Sequence, residues 1–375
     1  MRVLLMLSSM AMGGAERNIA AVVPHINAIE GVELTLGTLN TRRDSPLAGL
    51  ITESGVSRFD LGAKRMVDPR AWRRFTDFLR RERIDLVHSQ DQDTNIYNAL
   101  SRRRLGIPSV MTRHVMFEPF INLKTRLRAQ LVLLSARFGA DRVIAVSEAV
   151  RQQFAVQARL PLEKIETVYN GIELEKFNTR HKRAETRAAL GWAQDAPIVI
   201  MVAVLRGGKG HEVLFEAVPR LRQRIPNVQI ALVGDGEERA KLEALAAPYA
   251  DVIHFMGQRM DVPDLLGAAD ALVLPSWSEA LPTVLIEAGA ASLPCVATDV
   301  GGTAEIVVDG ETGYVIPKGD SAALATRLAD LLSDSGRAAQ MGAAALQRVT
   351  GIFTLPQQAK RTVEVYARAL AMHRG

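Results

Sequence analysis

Cysteine is almost missing from this sequence of 375 residues: Cys295 stands alone, so no disulfide can close within the chain, and its apolar neighbours suit a small buried hydrophobe in a reducing compartment. Aromatic residues make up only 5% and are not interleaved with the arginines, which argues against a stacking surface for nucleic acid. No apolar run approaches the roughly 20 residues that span a bilayer. The run from Val3 to Leu7 is short for a secretory signal and leads into a glycine turn with a use of its own. The expectation is a cytoplasmic chain, at most peripheral on the inner face of a membrane. The dinucleotide pattern G-x-G-x-x-G is also absent, which counts against a nicotinamide cofactor.

What is present is an apolar fraction of 48% in a chain too long for one ordinary core, so two domains are expected. The net charge of +5 is unevenly spread: residues 1–178 hold 26 Lys+Arg against 19 Asp+Glu, and the rest 20 against 22. The first half is the basic one.

In that half, short apolar runs at Val3–Leu7, Val32–Leu36, Ile84–Val87, Ser109–Met111, Arg142–Val146 and Ile165–Val168 alternate with amphipathic segments of helical length. Such alternation gives βα units and a mostly parallel sheet, with ligands beyond the carboxyl ends of the strands. Residues with chemistry do follow those strands. Gly13 and Gly14 open a helix and let backbone approach a ligand, with Glu16 and Arg17 behind them. Gln90, Asp91 and Asp93 follow the run at Ile84–Val87, the two aspartates suiting helix caps. His114 follows Ser109–Met111, and Ser147 is a natural N-cap with Glu148 in its first turn. Asn170-Gly171 makes a turn before a charged, then small-residue connector at 178–196. The pattern then restarts with a strand from Ile198 to Leu205 and the loop Arg206-Gly207-Gly208-Lys209-Gly210, where fixed positive charge suits a diphosphate. Gly234 and Gly257 end further strands, and a terminal amphipathic segment runs from Gln357 to Met372.

The densest stretch is Leu274 to Gly302. An apolar run stops at Pro275, a polar loop carries Glu279, and Pro282 suits a first helical position with Thr283 free to cap. Val284, Leu285 and Ala288 recur at helical spacing, and Glu287 lies one turn in. A helix start of this kind offers unpaired N–H donors from Leu281 to Val284 to an anion, leaving carboxylates to grip hydroxyls.

The run S-x-x-E-A-L-P-T-x-x-x-E-A, continued by L-P-C-V-A-T-D-V-G-G-T-A-E-I-V, resembles the E-x7-E signature of the retaining GT-B glycosyltransferases of family 4. G-G-A-E-R at Gly13, His114, and N-G-I-E at Asn170 resemble further motifs of that family, so the likeness spans nearly the whole chain. It implies an α/β GT-B fold: two Rossmann-like, doubly wound domains facing across a cleft, with a C-terminal helix crossing back to the first. The boundaries expected are 1–177 with the helix 358–375 for acceptor binding, and 178–357 for the donor. The reaction implied is sugar transfer from a nucleotide-diphosphate sugar to an acceptor hydroxyl with retention. His114, Glu279, Arg206 and Lys209 are the catalytic set. Gly13, Gly14, Asn170, Gly234, Gly257, Leu281, Pro282, Thr283, Val284 and Glu287 would hold the donor. Glu16, Arg17, Gln90 and Asp91 would lie toward the acceptor, a glycan or lipid-linked molecule.

The chain departs from the family at Gln90, often histidine there, and in the short Arg206-to-Lys209 spacing. Asp91 and Asp93 mimic the D-x-D of metal-dependent transferases, yet no metal and no cofactor beyond the nucleotide sugar is expected. Arg70, Arg73, Arg74, Arg80, Arg81, Arg83, Arg102 to Arg104, Lys124, Arg126 and Arg128, beside Leu127 and Leu131 to Leu134, suit either solvated helix faces or an anionic membrane. A sugar-nucleotide epimerase of the same architecture and a non-catalytic nucleotide-sugar-binding subunit are the competing readings.

Overall fold

Strands as apolar as Val3–Leu7 need cover on both faces, and both sheets of the computed structural model are parallel throughout and flanked by helices. The structure describes residues 1–10, 13–40, 47–63, 68–116 and 123–373. They divide into two units, Met1–Gly171 with Leu355–Gly375, and Ile172–Thr354.

The first unit holds β1 (Arg2–Leu7), β2 (Glu33–Thr38), β3 (Ser57–Asp60), β4 (Leu86–Ser89), β5 (Ser109–Arg113), β6 (Arg142–Ala145) and β7 (Ile165–Thr167), in the order β3-β2-β1-β4-β5-β6-β7. Between them run α1 (Gly14–Asn27), α2 (Leu47–Glu53), α3 (Pro69–Arg81), α4 (Gln92–Leu105), α5 (Leu123–Gly139) and α6 (Glu148–Ala158). In the second unit β8 (Ile198–Val202), β9 (Gln229–Val233), β10 (Ile253–Gly257), β11 (Ala271–Leu274), β12 (Cys295–Thr298) and β13 (Gly313–Ile316) stand in the order β10-β9-β8-β11-β12-β13. Its helices are α7 (Arg183–Ala189), α8 (His211–Arg224), α9 (Arg239–Ala246), α10 (Val262–Ala268), α11 (Thr283–Ala290), α12 (Thr303–Ile306), α13 (Ser321–Ser333) and α14 (Ser335–Ile352). The last helix, α15 (Leu355–Ala371), belongs to the first unit and buries Leu355, Ala359, Val365, Tyr366 and Ala369 with α1 and the strands β1, β4 and β5.

In each sheet the strand order reverses once, between β1 and β4 and between β8 and β11. At such a switch point the two following loops diverge and leave a crevice at the carboxyl ends. The loops that carry Gly13 and Gln90 flank the first; those that carry Lys209 and Glu279 flank the second.

Four expectations need correction. The strand β3, Ser-Arg-Phe-Asp, was not anticipated: it is a largely exposed edge strand without an apolar run. The strand expected at Ile84–Val87 is β4, shifted to Leu86–Ser89, because Arg83 turns the chain at φ 50° and the Ile84 N–H bonds to Leu79 at the end of α3. Pro282 occupies the N-cap of α11 rather than its first position, and Thr283 is the first helical residue, so no side chain caps that helix. Residues 178–196 are no loose connector. They fold onto the second unit through α7, whose Arg187 is fully buried and donates to the carbonyls of Ala193, Gln194, Ala196 and Ala268 and to Asp270. The aspartate pair caps as expected: Asp91 accepts from the N–H groups of Asp93 and Thr94 in a capping box at α4.

Candidate active site

In the second unit the loops after β8 and β11 are joined by an ion pair. Lys209 Nζ lies 2.7 Å from Glu279 Oε1, with side-chain exposures of 17% and 11%, low enough that water screens the pair little. The same oxygen accepts from Ser276 Oγ at 2.7 Å, and the Ser276 carbonyl accepts from Thr298 Oγ1 at 2.6 Å. Backbone locks the loops together as well: Trp277 N–H donates to the Gly208 carbonyl at 2.9 Å.

Two glycines permit this approach. Gly210 sits at φ +75°, and a Cβ there would fall 1.9 Å from the Pro275 carbonyl oxygen. Gly301 sits at φ +52°, and a Cβ would fall 1.6 Å from that of Glu279. Neither site accepts a side chain without moving the loop that holds Glu279.

Directly after that loop, α11 begins with Leu281 and Pro282 buried and Thr283 and Val284 half-buried. The Leu285 N–H already bonds to the Pro282 carbonyl at 3.0 Å, which leaves the N–H groups of Thr283 and Val284 as the donors at this helix start, four and five positions after a carboxylate paired with lysine. Glu287 is half-buried in the second turn. Gly234 closes against β10, its N–H donating to the Gly257 carbonyl at 2.9 Å. Arg206 is exposed and shares no ion pair with Glu279, so of the two expected cations the structure joins only Lys209 to the carboxylate.

In the first unit Gly13 is the N-cap of α1, Gly14 and Arg17 are exposed, and Glu16 is half-buried with its carboxylate folded over Gly13. Asp91 spends its carboxylate on backbone, capping α4 and accepting from the Ser8 N–H. His114 is half-buried, and its Nε2 lies 2.8 Å from Gln90 Oε1. Burial, with the adjacent Arg113 guanidinium, pushes its pKa down to about 4, so the ring is neutral at pH 7. Behind it sits His88, 1% exposed and pushed to about 3 by burial. Asn170 is buried beside the turn where Gly171 N–H donates to Gln358 Oε1 of α15 at 2.7 Å.

Ser276 and Thr298 stand inside the motif run and Tyr366 inside the terminal amphipathic segment, but no role at the site was expected of them or of His88. The only local signal was for Ser276, a small polar residue between a strand-ending proline and the glutamate. His88 and Tyr366 are 278 positions apart, and no spacing rule joins them.

Residues 12–176 match the family model described as Glycosyltransferase Family 4, and residues 182–348 match Glycosyl transferases group 1. A D-inositol 3-phosphate glycosyltransferase of Streptomyces scabiei is 34% identical over 313 residues, covering 77% of this chain and 69% of that protein. The match to the Streptomyces avermitilis protein of that name is 32% identical and covers 77% of this chain and 66% of that one. A GDP-mannose-dependent alpha-(1-6)-phosphatidylinositol monomannoside mannosyltransferase of Mycolicibacterium smegmatis is 34% identical over 55% of this chain and 56% of its own. Among solved structures, HepE of Anabaena in complex with UDP superposes with a TM-score of 0.85 at 21% identity, over 98% of this chain and 100% of that one. The chain belongs to the family 4 glycosyltransferases, and its two doubly wound units are those of the GT-B fold.

Proposed function

We propose that the protein transfers a sugar from a UDP- or GDP-sugar to an acceptor hydroxyl with retention, in the synthesis of a cell-envelope glycan, lipopolysaccharide or glycolipid. The Lys209–Glu279 pair beside the start of α11 carries this reading, because it supplies what a nucleotide sugar needs in one place. The α11 N–H groups, Arg206 and Lys209 meet the diphosphate, Glu279 the sugar, and Glu287 the ribose hydroxyls. The bond from the anomeric carbon to phosphate breaks and a bond to the acceptor oxygen forms on the same face, the acceptor proton passing to the departing diphosphate. Positive charge fixed at Lys209 matters most as charge grows on that leaving group. No metal or further cofactor takes part. His114, neutral and half-buried, is assigned to a substrate hydroxyl. The relatives named above are transferases, which does not favour the epimerase reading.

The test is thermal shift against UDP-glucose, GDP-mannose and other nucleotide sugars, with and without a chelator. One base should raise the midpoint, by roughly 2–4 °C for each kcal/mol of linked stabilisation in a domain of this size. Glu287→Ala should abolish the shift; a variant that binds as well as the parent removes Glu287 from the ribose.

We also assign the first unit to a glycan or lipid-linked acceptor on an anionic membrane surface. On α5, Leu127, Leu131, Leu134 and Phe138 are 45–59% exposed at helical spacing, beside the exposed Arg126. The side chains of Lys124 and Arg128, counted in the same basic group, lie outside the described residues. No helix among the described residues is long and apolar enough to cross a membrane. The protein should co-sediment with vesicles containing anionic lipid at low salt and lose most binding on Leu131→Glu/Leu134→Glu; equal recovery with neutral vesicles would refute the surface.

A further inference from the structure

One buried histidine and one buried tyrosine in the first unit have no part in the reaction just described. Tyr366, on α15, is fully buried, and its Oη lies 2.7 Å from His88 Nδ1. On the other side of the ring, Thr112 Oγ1 lies 2.7 Å from His88 Nε2. Both in-plane directions of the imidazole are therefore taken by hydroxyl groups. Residues 88 and 90 extend from one strand and 112 and 114 from the next, so period-two alternation puts all four on the face that α15 covers.

The amide of Gln90 bridges the two histidines. Its Nε2 is 3.2 Å from His88 Nε2 and 3.4 Å from His88 Nδ1, nearly equidistant, which places it over the ring rather than in its plane. An N–H directed at the electron-rich face of a neutral ring is attractive, whereas a carbonyl oxygen there is not. The neutral His88 thus decides which end of the amide it faces. The other end, Oε1, is then aimed at His114 Nε2 at 2.8 Å. A carbonyl accepts only, so His114 must carry its proton on Nε2. Its Nδ1 is left bare, with no hydrogen-bond partner among the described residues. The groups border a narrow cavity of about 20 Å³, with Asn170 and Gln358 on its wall.

We propose that Gln90 is a positioning residue: seated over the His88 ring, which the Tyr366 and Thr112 hydroxyls pin in its plane, it fixes His114 as the Nε2–H tautomer and leaves Nδ1 as the acceptor for a substrate hydroxyl. The role of the tautomer in turnover rests on the assignment of His114 to substrate, but the tautomer itself does not. A hydroxyl donor is what the site selects, since a bare ring nitrogen cannot satisfy a carbonyl or an ether oxygen.

Nitrogen-resolved NMR of the full chain labelled at its seven histidines tests this without any ligand, His114 being assigned by its loss in His114→Asn. At pH 7 His114 should show a proton on Nε2 and a bare Nδ1, and Gln90→Leu should turn that single form into a mixture. Tyr366→Phe should disturb the His88 resonances first and His114 by a smaller amount. A parent His114 protonated on Nδ1 overturns the proposal and needs no variant to fold; so does a Gln90→Leu spectrum that keeps the single Nε2–H form. With UDP-glucose or GDP-mannose, whichever the chain uses, Gln90→Leu should lower kcat about tenfold, the value of one hydrogen bond, with nucleotide affinity unchanged. A lost tautomer preference with unchanged kcat upholds the clamp and removes His114 from the substrate instead.

Discussion

Lys209→Met should lower turnover by about 10²–10³-fold, the loss typical when one group that stabilises developing negative charge is removed. Methionine keeps most of the stem and deletes the charge. Two effects combine. The leaving diphosphate loses a fixed cation, and Glu279, with only 11% of its side chain exposed, loses its ion-pair partner and keeps Ser276 alone. A buried carboxylate stripped of its cation is costly, so the thermal midpoint should fall as well. Arg206→Ala provides the comparison on the same loop: its exposed guanidinium makes no pair with Glu279, and the expected loss is about tenfold or less. Rates are to be measured at saturating donor on both variants. A Lys209→Met protein within threefold of the parent, or an Arg206→Ala protein more impaired than it, would sink the assignment.

Arg187→Met should cost the second unit about 3–5 kcal/mol, the usual result of breaking a buried pair by removing one partner. Arg187 is 0% exposed and ties Asp270 to the carbonyls of Ala193, Gln194, Ala196 and Ala268, so methionine would orphan those acceptors and take from Asp270 one of its two guanidinium partners. Asp270 also accepts from the Ile198 N–H at the start of β8, so the loss reaches the central strand of the sheet. Denaturant titration checks this; a change below 1 kcal/mol would show that Arg183, paired with Asp270 at 2.5 Å, carries the junction alone.

These two lysine and arginine sites show how far the sequence was readable. The strands that build both sheets carried their own signal, since parallel strands buried on two faces are continuous Val, Ile and Leu runs bounded by turns. The edge strand β3 is half solvated and lacked it. Glu279, Lys209 and the start of α11 were legible because glycine, proline and charge fall at fixed spacings around a strand end. Their meeting was not, because 70 positions separate Lys209 from Glu279 and only the crossing of the chain between β8 and β11 brings them together. Arg187 was misjudged for a related reason. An arginine among Arg180, Lys182, Arg183 and Glu185 looks solvated, and nothing local announces that Asp270 and four carbonyls await it. The histidine pair failed furthest, since its anchor is supplied by α15.

That anchor imposes an order of events on synthesis. The strands of the first unit leave the ribosome before Ile172, but the helix that seals their α1 face is encoded after Thr354, with the whole second unit between them. At about 5–20 residues per second, those intervening residues delay the seal by roughly 10–40 s, while Leu86, Val110 and His88 wait without Tyr366. The unit whose residues are made first is thus the one completed last, and its nascent form is the species a holdase chaperone would meet.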